Sequence, residues 1–112
     1  MILAPVKTAE LTGRALDWAT AFCDNYDEGW LKRHLHLVDN YAYSTDWTLL
    51  GPLLQQYGVE LRCSEDKVTW WADTRNDSGA GVGPTPGIAI CRCFISITHP
   101  DFIDIPGELL CN

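Results

Sequence analysis

The chain is short of positive charge. Its 112 residues hold 8 Lys and Arg against 15 Asp and Glu, a formal net charge of -7. The cations, Lys7, Arg14, Lys32, Arg33, Arg62, Lys67, Arg75 and Arg92, are scattered along the sequence. Duplex nucleic acid is held by clustered phosphate contacts, so this distribution argues against it as a partner. Long apolar runs are also missing. Hydrophobic stretches are broken by charges, and no basic-plus-apolar leader precedes a small-residue cleavage site, so neither a membrane span nor a signal peptide is expected. The five cysteines, Cys23, Cys63, Cys91, Cys93 and Cys111, form no Cys-x-x-Cys pair and are odd in number. Reduced thiols in a cytosolic protein follow. No internal repeat, heptad or low-complexity tract occurs.

What is present is enough to build a core. The hydrophobic fraction is 46% with five Trp, well above what a disordered chain carries. A chain of this length buries roughly 65% of the surface that its unfolded form exposes, so one domain spanning 1–112 needs no disulfide or metal to fold. Burying one indole stabilises by about 4–6 kcal/mol, which makes the Trp residues core material before ligand platforms. The acidic balance favours solubility, or a basic protein surface approached by electrostatic steering.

Apolar residues Leu11, Ala15, Trp18, Ala19 and Phe22 share one face of a 3.6-residue period, which predicts a helix over about Leu11 to Asn25 capped by Thr8 or Thr12. Before it, Met1 to Val6 is an extended arm or a disordered start. From Trp30 to Val38, Leu31, Leu35 and Leu37 alternate with His34 and His36, which predicts a strand, with Tyr41 to Ser44 as its hairpin return after the Asp39-Asn40 turn. Ser44-Thr45-Asp46 is a capping corner. Gly51-Pro52 and Gly58 bracket a short helix, Pro52 to Tyr57. Alternation in Val59 to Cys63 and Val68 to Ala72 predicts an antiparallel hairpin, and Asp73 to Gly83 reads as a mobile surface loop. Thr85-Pro86 starts a helix that is apolar nearly all round through Ile97, hence buried between layers or against a partner. After His99-Pro100 the acidic tail is an edge strand or a surface arm. The fold class expected is α+β: an antiparallel sheet of about four strands packed with two main helices and one short one.

The candidate ligand-binding residues are Tyr43, Ser44, Asp46, Trp47 and Trp70. Hydroxyls and a carboxylate beside aromatic rings suit recognition of a base or sugar edge, although the same corner serves as a helix cap with its rings packed inward. His34 and His36, two apart on a presumed strand, would share a side and a metal with Asp39, His99 or a cysteine, but no second ligand pair stands at the right spacing, so no metal site is assigned. Cys91 and Cys93 lie about 200° apart around a helix and read as buried small residues. Gly79 to Gly83 before a helix resembles a phosphate loop only superficially, because no Gly-Lys-Ser/Thr follows and Pro84 and Pro86 remove amide donors. No catalytic constellation is visible among the three histidines and the distributed acids. Trp70-Trp71 sets one indole on each face of a strand.

Three segments carry a family resemblance. They are Lys7-Thr8-Ala9-Glu10-Leu11-Thr12-Gly13-Arg14-Ala15-Leu16-Asp17-Trp18-Ala19, then Tyr43-Ser44-Thr45-Asp46-Trp47 with Gly51-Pro52, then Gly83-Pro84-Thr85-Pro86-Gly87-Ile88-Ala89-Ile90-Cys91-Arg92-Cys93 with Asp104-Ile105-Pro106. Their order and spacing resemble the NinX-like family of small tailed-phage proteins. The Tyr-Ser-Thr-Asp corner and the Ala-x-Cys-Arg helix are also similar to a broader phage domain described as an alpha-beta-alpha sandwich. The resemblance implies a phage or prophage origin and action in the host cytoplasm, and it brings no assigned activity. The function expected is therefore that of a non-enzymatic accessory protein, without a cofactor, that binds a host or phage protein. A nucleotide-type small-molecule binder is the alternative, and the sequence leaves the oligomeric state open.

Overall fold

The computed structural model describes residues 2–110. The start of the expected N-terminal arm, Met1, and the thiol of Cys111 lie outside them, as does Asn112. The arm itself is strand β1, Leu3–Lys7, and it pairs antiparallel with β5, Phe102–Pro106, so that Leu3 faces Pro106 and Lys7 faces Phe102. A single 3-10 turn, Thr8–Glu10, follows β1. Helix α1 runs Gly13–Cys23 with Thr12 at its N-cap position, but the Thr12 side chain makes no capping bond. Thr8 latches distant chain instead: its hydroxyl donates to the His99 carbonyl at 2.7 Å and its amide to the Asp101 carbonyl at 3.0 Å.

The strand expected over Trp30 to Val38 is a helix. Helix α2, Glu28–Arg33, is capped by Asp27, whose carboxylate accepts from the Trp30 amide at 2.6 Å. A 3-10 segment, Leu35–Tyr41, continues it. Leu31, Leu35 and Val38 stand at i, i+4 and i+7, and Leu31 and Val38 are fully buried. That helical spacing competes with the period-two pattern and wins because an Asp cap, the Glu28–Lys32 pair at 3.0 Å and two cations in the last turn of α2 all favour it. The expected return strand Tyr41 to Ser44 is correspondingly the end of the 3-10 segment and a turn.

Helix α3, Trp47–Tyr57, begins five residues before the expected start at Pro52. Asp46 caps it, accepting from the Thr48 amide at 2.9 Å and the Thr48 hydroxyl at 2.6 Å. Pro52 sits inside the helix. The carbonyl that its missing N–H would otherwise bond is that of Thr48, and both residues are exposed, so the gap in the ladder faces solvent and not the core. Gly58 ends α3 in the left-handed region at φ 62°. Strands β2, Val59–Cys63, and β3, Trp70–Thr74, form the expected hairpin across a turn that the Ser64 and Asp66 side chains organise.

Of the stretch Asp73 to Gly83 expected to be a loose loop, Asp73 and Thr74 complete β3, residues 75–79 form a turn, and Ala80–Gly83 is a third strand, β4, antiparallel to β3. Its glycines explain both readings. Helix α4, Pro86–Thr98, lies directly on this strand, and a Cβ at Gly81 would collide with the backbone of Ala89 and Cys93, while one at Gly83 would reach Ile88. Glycine is needed for the approach of two backbones rather than for mobility. Thr85 caps α4, its hydroxyl accepting from the Ile88 amide at 3.2 Å. Ala89, Ile90, Cys91, Cys93, Phe94 and Ile95 are all buried, because α4 has the three-stranded sheet on one side and α1 and α3 on the others. The fold class is α+β as expected, with the strands divided between a three-stranded sheet, β2-β3-β4, and the two-stranded β1-β5 sheet.

Candidate functional site

The Tyr43 to Trp47 corner is built from long-range bonds. Tyr43 is 2% exposed, and its hydroxyl donates to Asp24 Oδ2 at 2.6 Å. The Ser44 amide donates to Asp17 Oδ1 at 2.8 Å. Burial pushes the Asp17 carboxyl above its ordinary range, while its bonds from Ser44 pull the other way. The Ser44 carbonyl packs on Gly87 in the first turn of α4, leaving no room for a Cβ there. Asp46 is the α3 cap. Trp47 projects from that first turn and is 53% exposed.

Trp70 lies on β3 with its ring half-buried against the core, and its indole N–H donates to the Lys67 carbonyl at 3.2 Å. Four of the five sequence-predicted site residues are thus contiguous in one corner, with Trp70 on the sheet. The phenol of Tyr43, the amide of Ser44 and the carboxylate of Asp46 are engaged within the chain.

Around that corner Tyr26, Trp30, Tyr41, Tyr43 and His34 form an aromatic cluster. Ring centroids are 5.5 Å apart for Tyr26 and Tyr41, and 4.8 Å for the stacked Trp30 and His34. His34 Nδ1 also lies 2.9 Å from the Trp30 carbonyl. His36 thus lies on the 3-10 segment, not on a strand, and His34 at the junction between it and α2 with its ring stacked on Trp30. Among the described residues no group of three or more His, Cys, Asp or Glu is placed to hold a metal ion.

Sequence separation hid a second cluster. Cys23 Sγ lies 3.8 Å from Thr98 Oγ1 and 3.9 Å from His99 Nδ1, which is itself 2.9 Å from Thr98 Oγ1. Burial pushes the Cys23 thiol up to about 11, so it is protonated at neutral pH and a poor nucleophile.

Trp71 is the outward indole of the expected Trp70-Trp71 pair, and what sequence reasoning missed is the apolar strip that it joins. On the sheet face turned away from α4, Trp71 and Val82 are register partners, 37% and 48% exposed. Beside β4 a concavity of about 190 Å³ is lined by Ala9, Ala80, Val82 and Pro100. A second, of about 260 Å³, shares Ala9 and Pro100 and ends at Phe102, which is 53% exposed. Trp71, Val82, Ala9, Pro100 and Phe102 so form a strip from one sheet to the other, bordered by Lys7, Arg92 and Asp101. The only signal in the sequence was the apolar parity of Trp71 and Val82, and the paired strands are what turn it into a surface.

No helix among the described residues is long and apolar enough to cross a membrane. No curated protein and no solved structure matches the chain. The family model described as NinX of bacteriophage P22 does match, over residues 7–97. That span covers α1 to α3, all but the last residue of α4, the three-stranded sheet and the Tyr43 to Trp47 corner, well over half of the chain, and the protein therefore belongs to the NinX family of phage proteins.

Proposed function

We propose that this phage protein is a non-enzymatic accessory factor that acts in the host cytoplasm by docking another protein, of the host or of the phage, on the strip from Trp71 to Phe102. The observation that carries this reading is the continuity of exposed apolar groups across two concavities that share Ala9 and Pro100. Contiguous exposed apolar surface rimmed by charge is characteristic of protein interaction sites, and aromatic anchors dominate their energetics. The net charge of -7 suits a basic partner, since it would speed encounter. Nucleotide binding at Tyr43, Ser44 and Asp46 draws less support, because those groups already have partners inside the fold.

The test is affinity capture from infected-cell extract, with the protein compared to a V82D/F102D variant. Both side chains are exposed, so the fold should survive. A protein retained by the parent and released by the variant supports docking on the strip. Equal capture by both, or none by either, sinks it. Native mass spectrometry of the purified protein covers the alternative, since a co-purifying small molecule would shift the reading to ligand binding.

A further inference from the structure

The two edges of the three-stranded sheet are finished differently. At the β4 edge the outward backbone groups are capped by α4: the Ala80 amide donates to Ser96 Oγ at 2.9 Å, and the Val82 carbonyl accepts from Arg92 Nη1 at 2.6 Å. The β2 edge has no such cover. Bonds from the Ser64 amide to the Thr69 carbonyl and from the Arg75 amide to the Gly58 carbonyl fix the alternation of the β2–β3 ladder. Glu60 and Arg62 therefore bond to β3, while Val59, Leu61 and Cys63 turn their N–H and C=O groups away from it. These outward groups make no hydrogen bond among the described residues. An uncapped strand of five residues is a template for another strand.

The charges on β2 say which strand fits. Glu60 stands opposite Asp73 of β3, a like-charge pair, whereas Arg62 reaches diagonally to Asp73 at 3.2 Å. Glu60 makes no ion pair among the described residues. If a second β2 pairs antiparallel about a two-fold axis through Leu61, Leu61 meets Leu61 and Val59 meets Cys63, all with outward backbone groups. The same register sets Glu60 against Arg62 of the second copy, twice over. Moving the axis to Glu60 or Arg62 would instead place like charges face to face, so the two neighbouring registers are penalised.

We propose that the chain self-associates through β2, joining two three-stranded sheets into one of six strands with the Leu61 positions on the symmetry axis. This does not rest on the docking reading, because β2 and β4 are opposite edges of the sheet.

Sedimentation and native mass spectrometry of the full chain, from low micromolar to submillimolar concentration, test it. The protein should be a dimer whose population follows concentration. E60R turns both cross-pairs repulsive and should weaken the dimer by about tenfold or more. It also removes the Glu60–Asp73 repulsion, so its monomer should melt no lower than the parent, which separates lost pairing from lost folding. R62E should be monomeric for the same reason, and mixing E60R with R62E should restore dimers containing one of each. Amide exchange at Val59, Leu61 and Cys63 should slow as concentration rises. A monomer throughout, an E60R dimer as tight as the parent, or a mixture that does not pair would each overturn the proposal.

Discussion

Tyr41 and Tyr43 are both buried, yet only one of their hydroxyls is satisfied. Tyr43 donates to Asp24, whereas Tyr41 Oη has no hydrogen-bond partner among the described residues. An unpaired buried hydroxyl costs stability and a bond to a carboxylate contributes it, so the two Phe substitutions should have opposite signs. Y41F should stabilise by about 1 kcal/mol and Y43F should destabilise by about 2 kcal/mol, as measured by urea unfolding. Burial raises both phenols, that of Tyr41 from 10.0 to about 12. A phenol whose folded value exceeds its unfolded one holds its proton more tightly in the native state, so its contribution is complete below pH 10 and is lost as pH rises towards about 12. Y41F should make that alkaline decline shallower. This part of the candidate site was only half legible. The corner residues were picked out by their local pattern, but the acids that occupy them, Asp24 and Asp17, lie 19 and 27 positions away from Tyr43 and Ser44, and no local pattern encodes that.

At the scale of elements, the contact of β4 with α4 is a close approach of two backbones that leaves no room for side chains between them. Every second residue from Gly79 to Gly83 is glycine, and on the helix the facing groups include the backbone of Ala89 and Cys93. G81A should destabilise by about 2–3 kcal/mol, since the methyl meets backbone that cannot rotate aside. G51A is the control, because nothing lies within 4 Å of a Cβ there, and helix propensity should raise stability by about 0.5–1 kcal/mol. Thermal melts of the two variants shifting in the same direction would contradict this account. Composition alone made the strand look like a loop because glycine leaves no side chain to show a period. Helix α1, the β2–β3 hairpin and α4 were legible because burial on one face writes a period into the sequence. Between Trp30 and Val38 two periods overlapped, and the Asp27 cap and the Glu28–Lys32 pair decided for the helix.

For the whole molecule, charge is the dominant surface property. With an isoelectric point near 4.6, repulsion between copies vanishes at mildly acidic pH, so light scattering in a pH series should show a solubility minimum there and clear solution towards neutrality. Added salt should matter little at the minimum and more above it, where screening acts on a real net charge. The division of the strands between two sheets was not legible, because strand patterns record which face is buried and not which strand lies alongside. That division also sets an order of events during synthesis. Leu3–Lys7 leaves the ribosome first, and its partner Phe102–Pro106 follows after nearly everything else. The β2-β3-β4 sheet and α4 are contiguous in sequence and can assemble as they emerge, but the β1-β5 sheet must close the longest loop in the chain and so forms last. Until then Val6 and the first strand have no ladder to join, and the nascent protein is a nearly complete fold with its opening segment still waiting.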